Sequence, residues 1–195
     1  MNLPLGHHAG KLMEMLFHKV QKFDHDAMLW LSRRRKSALT RFFEVFTHSG
    51  AGVTWGVVAA ILQILCWAGV FVIPDQARFL RAMLCALIAW GVGALIKPRV
   101  GRRRPAEAIS GFKSLIKAPS CNSFPSSHTS SSFAFSVALL LLGHEWAAGV
   151  LIWAGVVAFS RAYLGVHFPS DILGGVALGA ACGFAILPIN ALWSG

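Results

Sequence analysis

The chain has 195 residues, 55% hydrophobic and only 13% charged, with a formal net charge of +10. Long runs nearly free of charge fit one membrane-embedded domain better than a soluble globule. The cations flank those runs rather than forming a stripe interleaved with aromatics, which points to anionic lipid headgroups and away from nucleic acid.

The first thirty residues carry His7, His8, Lys11, Glu14, Lys19, Lys22 and Asp24, leaving no uncharged stretch of the kind a signal peptide needs. Residues 11–31 place Leu12, Leu16, Val20, Phe23, Ala27, Trp30 and Leu31 on one helical stripe, with Lys11, Lys19, Lys22 and Asp26 on other faces. That pattern predicts an amphipathic helix lying at the membrane surface. After Arg33, Arg34, Arg35 and Lys36, a second short stripe of Leu39, Phe42, Phe43 and Phe46 repeats it. Four consecutive cations argue against a span across residues 24–46.

Five spans are predicted to follow, roughly at 53–73, 79–96, 128–143, 146–160 and 171–193. The third and fourth are short for a hydrocarbon core of about 30 Å. In the fifth, Gly175, Gly179 and Gly183 recur every four residues, the spacing that lets a neighbouring helix approach closely. The expected fold class is therefore all-α: a polytopic membrane helix bundle of about five transmembrane helices over residues 51–195, preceded by interfacial amphipathic helices over residues 1–50. Of the four cysteines, Cys66, Cys85 and Cys182 lie in apolar runs and Cys121 in a polar loop. No Cys-x-x-Cys spacing occurs, so neither a disulfide framework nor a zinc site is indicated.

Three polar islands interrupt the apolar pattern. The first runs from Lys97 to Arg104 and Pro105, the second from Phe124 to His128, and the third from Ser160 and Arg161 to His167 and Asp171. Span two ends at Lys97, span three begins at His128, span four ends at Ser160 and span five begins near Asp171, so all three islands emerge on one face. Cations, histidines and a carboxylate are costly to gather beside apolar segments unless something anionic is held there.

Each island has a chemical reading beside a plainer one. The guanidinium of Arg104 offers a planar fork to phosphate oxygens and Lys97 a point charge, although a basic run after a span is also a topology signal. Pro125 suits a first helical position, which would leave the amides of Ser126, Ser127 and His128 pointing at an anion; the serines could equally be caps and a polar collar. His128 would sit there as a proton donor to a leaving oxygen. A helix starting near Pro169 could bring Asp171 back to one nitrogen of His167, leaving the other as a neutral nucleophile, with Arg161 as a further phosphate clamp. His128, His167 and Asp171 could also form a two-histidine, one-carboxylate metal set, but Lys97, Arg104 and Arg161 would repel a divalent cation.

In order, identity and internal spacing, residues 97 to 171 closely resemble the three-part signature of the type-2 phosphatidate phosphatase superfamily. These are the lipid phosphate phosphatases, related to vanadium haloperoxidases. The resemblance implies a metal-independent phosphatase that uses no cofactor. His167 would carry the phosphoryl group as phosphohistidine, supported by Asp171, and His128 would protonate the leaving lipid. Lys97, Arg104, Arg161, Ser126 and backbone amides of the second island would hold the phosphate oxygens. Many members have glycine where Ser127 stands, which matters only if the backbone there needs φ > 0. Expected substrates are undecaprenyl diphosphate, phosphatidate or phosphatidylglycerol phosphate, in the plasma (inner) membrane, with a haloperoxidase-like enzyme or a lipid-phosphate binding or transport protein as alternatives.

Lys and Arg on the active-site face outnumber those on the other face, where Arg78 and Arg81 stand, so the charge rule places the site on the cytoplasmic side. Family analogy places it on the outer side.

Overall fold

In the computed structural model, which describes residues 5–70, 76–118 and 122–185, the chain is a helix bundle. Its elements are α1 (Leu5–Ser32), α2 (Ser37–His48), α3 (Gly52–Trp67), α4 (Gln76–Val100), α5 (Pro105–Ala108), α6 (Ser127–Leu141), α7 (Ala147–Tyr163) and α8 (Pro169–Phe184). Among the described residues the only strand-like feature is an isolated bridge between Arg103 and Asn122.

The predicted surface stripe forms one continuous helix, α1. Its most buried residues are not those of the apolar stripe but Asp24 and Met28, both fully buried, one turn apart. Leu12, Leu16, Phe23 and Trp30 stay about half exposed or more, an apolar face left for lipid. α2 behaves similarly: Phe43 is buried while Leu39 and Phe42 face outward. A break at 49–51 then bends the chain by 59° into α3.

Each predicted span coincides with a helix, α3, α4, α6, α7 and α8, although the ends of the first and last fall at 71–73 and 186–193, outside the described residues. Among the described residues, α4 is the helix long and apolar enough by itself to cross a membrane. Its 25 residues extend about 37 Å, more than the hydrocarbon core. α7 and α8 are apolar but shorter.

α6 occupies the centre, packed against α3, α4, α7 and α8. Ser130, Ser131, Ser132 and Ser136 are fully buried on it. Hydroxyls this deep need acceptors, and three find them: Ser130 donates to the Ala89 carbonyl (3.3 Å), Ser131 to Gly50 (2.9 Å) and Ser136 to Ser132 (2.8 Å). Their small volume lets neighbours close in, beside an apolar cluster that includes Trp55, Met83, Ala86, Phe135 and Leu139.

The glycine stripe of α8 lies on α6 as its spacing predicts. A Cβ at Gly175 would stand 2.7 Å from the Ser126 carbonyl oxygen, one at Gly183 2.8 Å from Val137, and one at Gly179 would overlap the Ser130 carbonyl. Backbone cannot swing aside as a side chain can. Gly179→Ala should therefore destabilise the purified protein by about 1–3 kcal/mol. Gly155→Ala, on an exposed face of α7 with nothing within 4 Å, should be neutral or slightly stabilising. Thermal melting of both variants in one detergent checks this, and equal effects would contradict the close-approach account.

Candidate active site

The C-terminal ends of α4 and α7 and the N-terminal ends of α6 and α8 meet at one end of the bundle, bringing the three islands together. α4 stops because Gly101 takes a left-handed φ of 64°, its amide donating to the Lys97 carbonyl at 3.0 Å. The chain then turns through Arg102 to Arg104 and starts α5 at Pro105. Ser123 staples this loop to the second island: its amide donates to the Arg102 carbonyl (2.8 Å) and its hydroxyl to that of Arg103 (3.1 Å). α6 begins at Ser127 with Ser126 as its cap, so Pro125 precedes the cap instead of opening the helix as expected. The Ser126 amide, expected to face an anion, donates to the Asp171 carbonyl at 3.1 Å and ties α6 to α8.

A cavity of ≈ 350 Å³ opens at this end, with Lys97, Arg104, Ser127, His128, Arg161 and His167 in its wall. Trp90 and Ala94 continue that wall along α4, away from the charged end. Among the described residues, neutral oxygens accept from these cations. Lys97 Nζ donates to the Pro125 carbonyl (2.7 Å), Arg104 to the Val166 carbonyl (2.6 Å), and Arg161, 2% exposed, to the hydroxyl of Thr47 on α2 (2.5 Å). Such acceptors fix the cationic groups without cancelling their charge, which stays available to an anion in the cavity.

Arg104 also fixes the state of His167. Its Nη1 lies 3.2 Å from His167 Nε2, and because a guanidinium only donates, Nε2 must accept and the ring proton resides on Nδ1. Burial, with Arg161, Arg104 and Lys97 nearby, holds His167 well below its usual value of 6.5, so the ring is neutral at pH 7. An unprotonated Nε2 thus faces the cavity.

Asp171 stands behind that ring, not in direct hydrogen bond with it. Its Oδ2 is 3.6 Å from His167 Nδ1, within ion-pair reach but too long for a hydrogen bond. The carboxylate is committed elsewhere: Oδ2 accepts from the Phe168 amide at 2.8 Å, capping α8, and Oδ1 accepts from Arg102 at 2.6 Å. The expected α8 start at Pro169 is observed, with Asp171 in its first turn.

The two serines part ways. Ser127 is the first helical residue, so its backbone is not left-handed and serine in place of the family glycine carries no strain. Its Oγ is buried without a partner and lines the cavity. Ser126 is fully buried outside the cavity wall, its Oγ accepting from Thr129 at 2.9 Å. Sequence reasoning missed Thr47, Asp24 and Arg102. In the sequence Arg102 stands only as one cation of a basic run, and nothing in the local pattern of α1 or α2 marks the other two. Among the described residues, no group of three His, Cys, Asp or Glu side chains is placed to hold a metal ion.

Comparison with known proteins gives this geometry a context. The chain is 39% identical over 122 residues to a decaprenylphosphoryl-5-phosphoribose phosphatase of Mycobacterium tuberculosis, covering 62% of this chain and 66% of that protein. It is 36% identical over 62 residues to an undecaprenyl-diphosphatase of Bacillus subtilis, covering 32% of each. The matches thus span less than two thirds of either relative. In solved structures, the fold is shared with a transmembrane PAP2-type phosphatidylglycerolphosphate phosphatase from Bacillus subtilis, at a TM-score of 0.66 and 23% identity over 89% of this chain and 87% of that one. The PAP2 superfamily profile matches residues 78–193, a stretch that takes in all three islands, and the chain belongs to that superfamily.

Proposed function

We propose that this protein is a multi-pass integral membrane phosphatase that hydrolyses a phosphate monoester or diphosphate of a membrane lipid, with an isoprenoid-linked phosphate as the favoured substrate. The observation that carries the proposal is the shape of the cavity. Three buried or half-buried cations and a neutral histidine stand at one end, and Trp90 and Ala94 extend the wall along an apolar helix. A phosphate group suits the first part and a hydrocarbon chain the second. The isoprenoid preference draws on the activities for which the mycobacterial and Bacillus relatives are named.

The chemistry follows from what each side chain can do. Lys97, Arg104 and Arg161 clamp the non-bridging oxygens, where charge spreads in the transition state, and the Ser127 hydroxyl adds a donor. Nε2 of His167 attacks phosphorus. The bond from phosphorus to the leaving oxygen breaks as His128 delivers a proton to that oxygen. The phosphohistidine is cationic at the ring, and Asp171 at 3.6 Å offsets that charge. Water, deprotonated by His128, then displaces the imidazole, releasing phosphate and restoring neutral His167. Each step uses positioning and fixed charge, and none requires a metal.

A haloperoxidase-like enzyme would use the same clamp for vanadate. The lipid reading is favoured by the apolar exterior, where Val53, Ile61, Ile64, Leu95 and Ile152 are all exposed. A non-catalytic phosphate-binding protein would need the cations but not a histidine held neutral beside them. Residues 1–50 serve in this reading as an interfacial region whose outward stripe lies in the headgroup layer. They also supply Thr47 to the site.

Phosphate release from a panel of lipid phosphates in detergent tests the function directly. Activity should persist in EDTA and fall with added vanadate; loss in chelator with recovery on one divalent metal would contradict the clamp. Arg161→Lys should not restore what Arg161→Ala removes, because one ammonium cannot replace the fork.

His167→Ala should leave no measurable turnover in folded protein, whereas His128→Ala should cost on the order of 10²–10⁴-fold and recover partly on an ester with a good leaving group. The acid limb of kcat/KM should lie below pH 6.5, since depression of the His167 pKa keeps the nucleophile unprotonated to lower pH. A limb above pH 7 assigned to His167 would contradict this.

The site is proposed on the cytoplasmic face of the plasma membrane, from the excess of Lys and Arg at that end. A cysteine introduced at exposed Lys117 should resist an impermeant maleimide in intact cells and react after lysis. Labelling in intact cells would place the site outside.

A further inference from the structure

Asp24 is fully buried on a helix whose neighbouring residues Phe23 and His25 are exposed, and it lies outside the stretch matched by the superfamily. Burying a carboxylate is costly unless it is paired, so its partners show what the position is for. Oδ2 accepts from Arg102 Nη2 (2.5 Å) and from the Ser170 hydroxyl (2.5 Å), and Oδ1 accepts from the Ser170 amide (3.0 Å) in the first turn of α8. Arg102 turns its other nitrogen to Asp171 Oδ1 at 2.6 Å, and its guanidinium lies 4.5 Å over the Phe168 ring. One arginine is therefore shared between a carboxylate of α1 and the carboxylate behind His167.

We propose that Asp24 and Arg102 are positioning residues for the reaction, forming a relay from α1 through Arg102 to Asp171 that sets the carboxylate against which the His167 imidazolium develops. This rests on the reading of His167 and Asp171 given above. Asp24 draws part of the guanidinium charge to itself. Without it, Arg102 pairs with Asp171 alone, and that carboxylate stabilises a cationic ring less. Ser170 also loses its acceptor, and the first turn of α8, which carries Asp171, loosens. Lys97, Arg104 and Arg161 do not contact Asp24, so ground-state binding of the phosphate should be little changed.

The test measures kcat and KM of full-length Asp24→Asn, Asp24→Glu, Arg102→Lys and Asp171→Asn proteins, and of the Asp24→Asn/Asp171→Asn pair. The substrate is a lipid phosphate with a good leaving group, and folding is verified by circular dichroism. Asp24→Asn should lower kcat about tenfold or more with KM within about twofold. Asp24→Glu should recover part of the loss, and Arg102→Lys, which cannot fork between two carboxylates, should resemble Asp24→Asn. In the Asp171→Asn background, Asp24→Asn should cost little more, since the relay is already broken. The proposal is overturned if Asp24→Asn keeps wild-type kcat while Asp171→Asn is impaired. It is equally overturned if Asp24→Asn costs the same factor in both backgrounds, or if its loss lies in KM or in folding alone. Wild-type turnover by Asp171→Asn would instead overturn the underlying catalytic assignment, and the relay with it.

Discussion

Three cations converge on a neutral, buried imidazole, and that electrostatic load dictates the rest of the site. Lys97, Arg104 and Arg161 repel one another and pay a desolvation cost that an apolar bundle cannot reduce. The fold manages the load by division. Backbone carbonyls of Pro125 and Val166 and the Thr47 hydroxyl orient the cations inside the cavity. The carboxylates Asp24 and Asp171 are meanwhile occupied by Arg102 on the far side of His167. Positive charge remains turned into the cavity, and on the proposed function a phosphate bound there relieves a repulsion already built into the fold. This is the condition under which fixed dipoles and charges accelerate phosphoryl transfer without reorganising.

Such a site needs a rigid frame, and the frame comes from small residues. Serines along α6 and glycines along α8 let backbones approach within contact distance, which fixes the starts of both helices relative to each other. The amide of Ser126 bonding the carbonyl of Asp171 joins the two starts directly. His128 and Asp171, far apart in the chain, are positioned by that one packed interface. The outward faces carry no comparable constraint, so they are free to be largely apolar, aromatic as well as aliphatic.

The apolar runs made the helices legible, because a stretch too hydrophobic for water must fold as a helix in lipid. The recurring glycines of α8 were legible for the same reason of period. The central position of α6 was not: a run containing Ser130, Ser131, Ser132 and Ser136 reads as a short span, and only packing reveals that it lies against α3, α4, α7 and α8 together. That Lys97, Arg104, His128, Arg161 and His167 lie together in one cavity wall was legible because the islands that carry them sit at helix ends on one face. Ser126 and Ser127 could not be told apart by composition, since one residue of helical phase decides which hydroxyl faces the cavity. Thr47 and Asp24 were invisible in sequence, because Thr47 meets Arg161 across 114 residues of chain and Asp24 meets Arg102 across 78 and Ser170 across 146, pairings that pattern cannot reveal.

The central claim is that the charge clamp exists to let Nε2 of His167 become a phosphorus nucleophile. The most direct measurement is rapid quenching of the enzyme with a radiolabelled lipid phosphate, followed by proteolysis and mass spectrometric location of the label. The account predicts an acid-labile, alkali-stable phosphoryl group on His167, absent from His167→Ala and accumulating where attack by water is slowed. A phosphoryl group on another residue, or burst-free turnover with no covalent species in either protein, would contradict it.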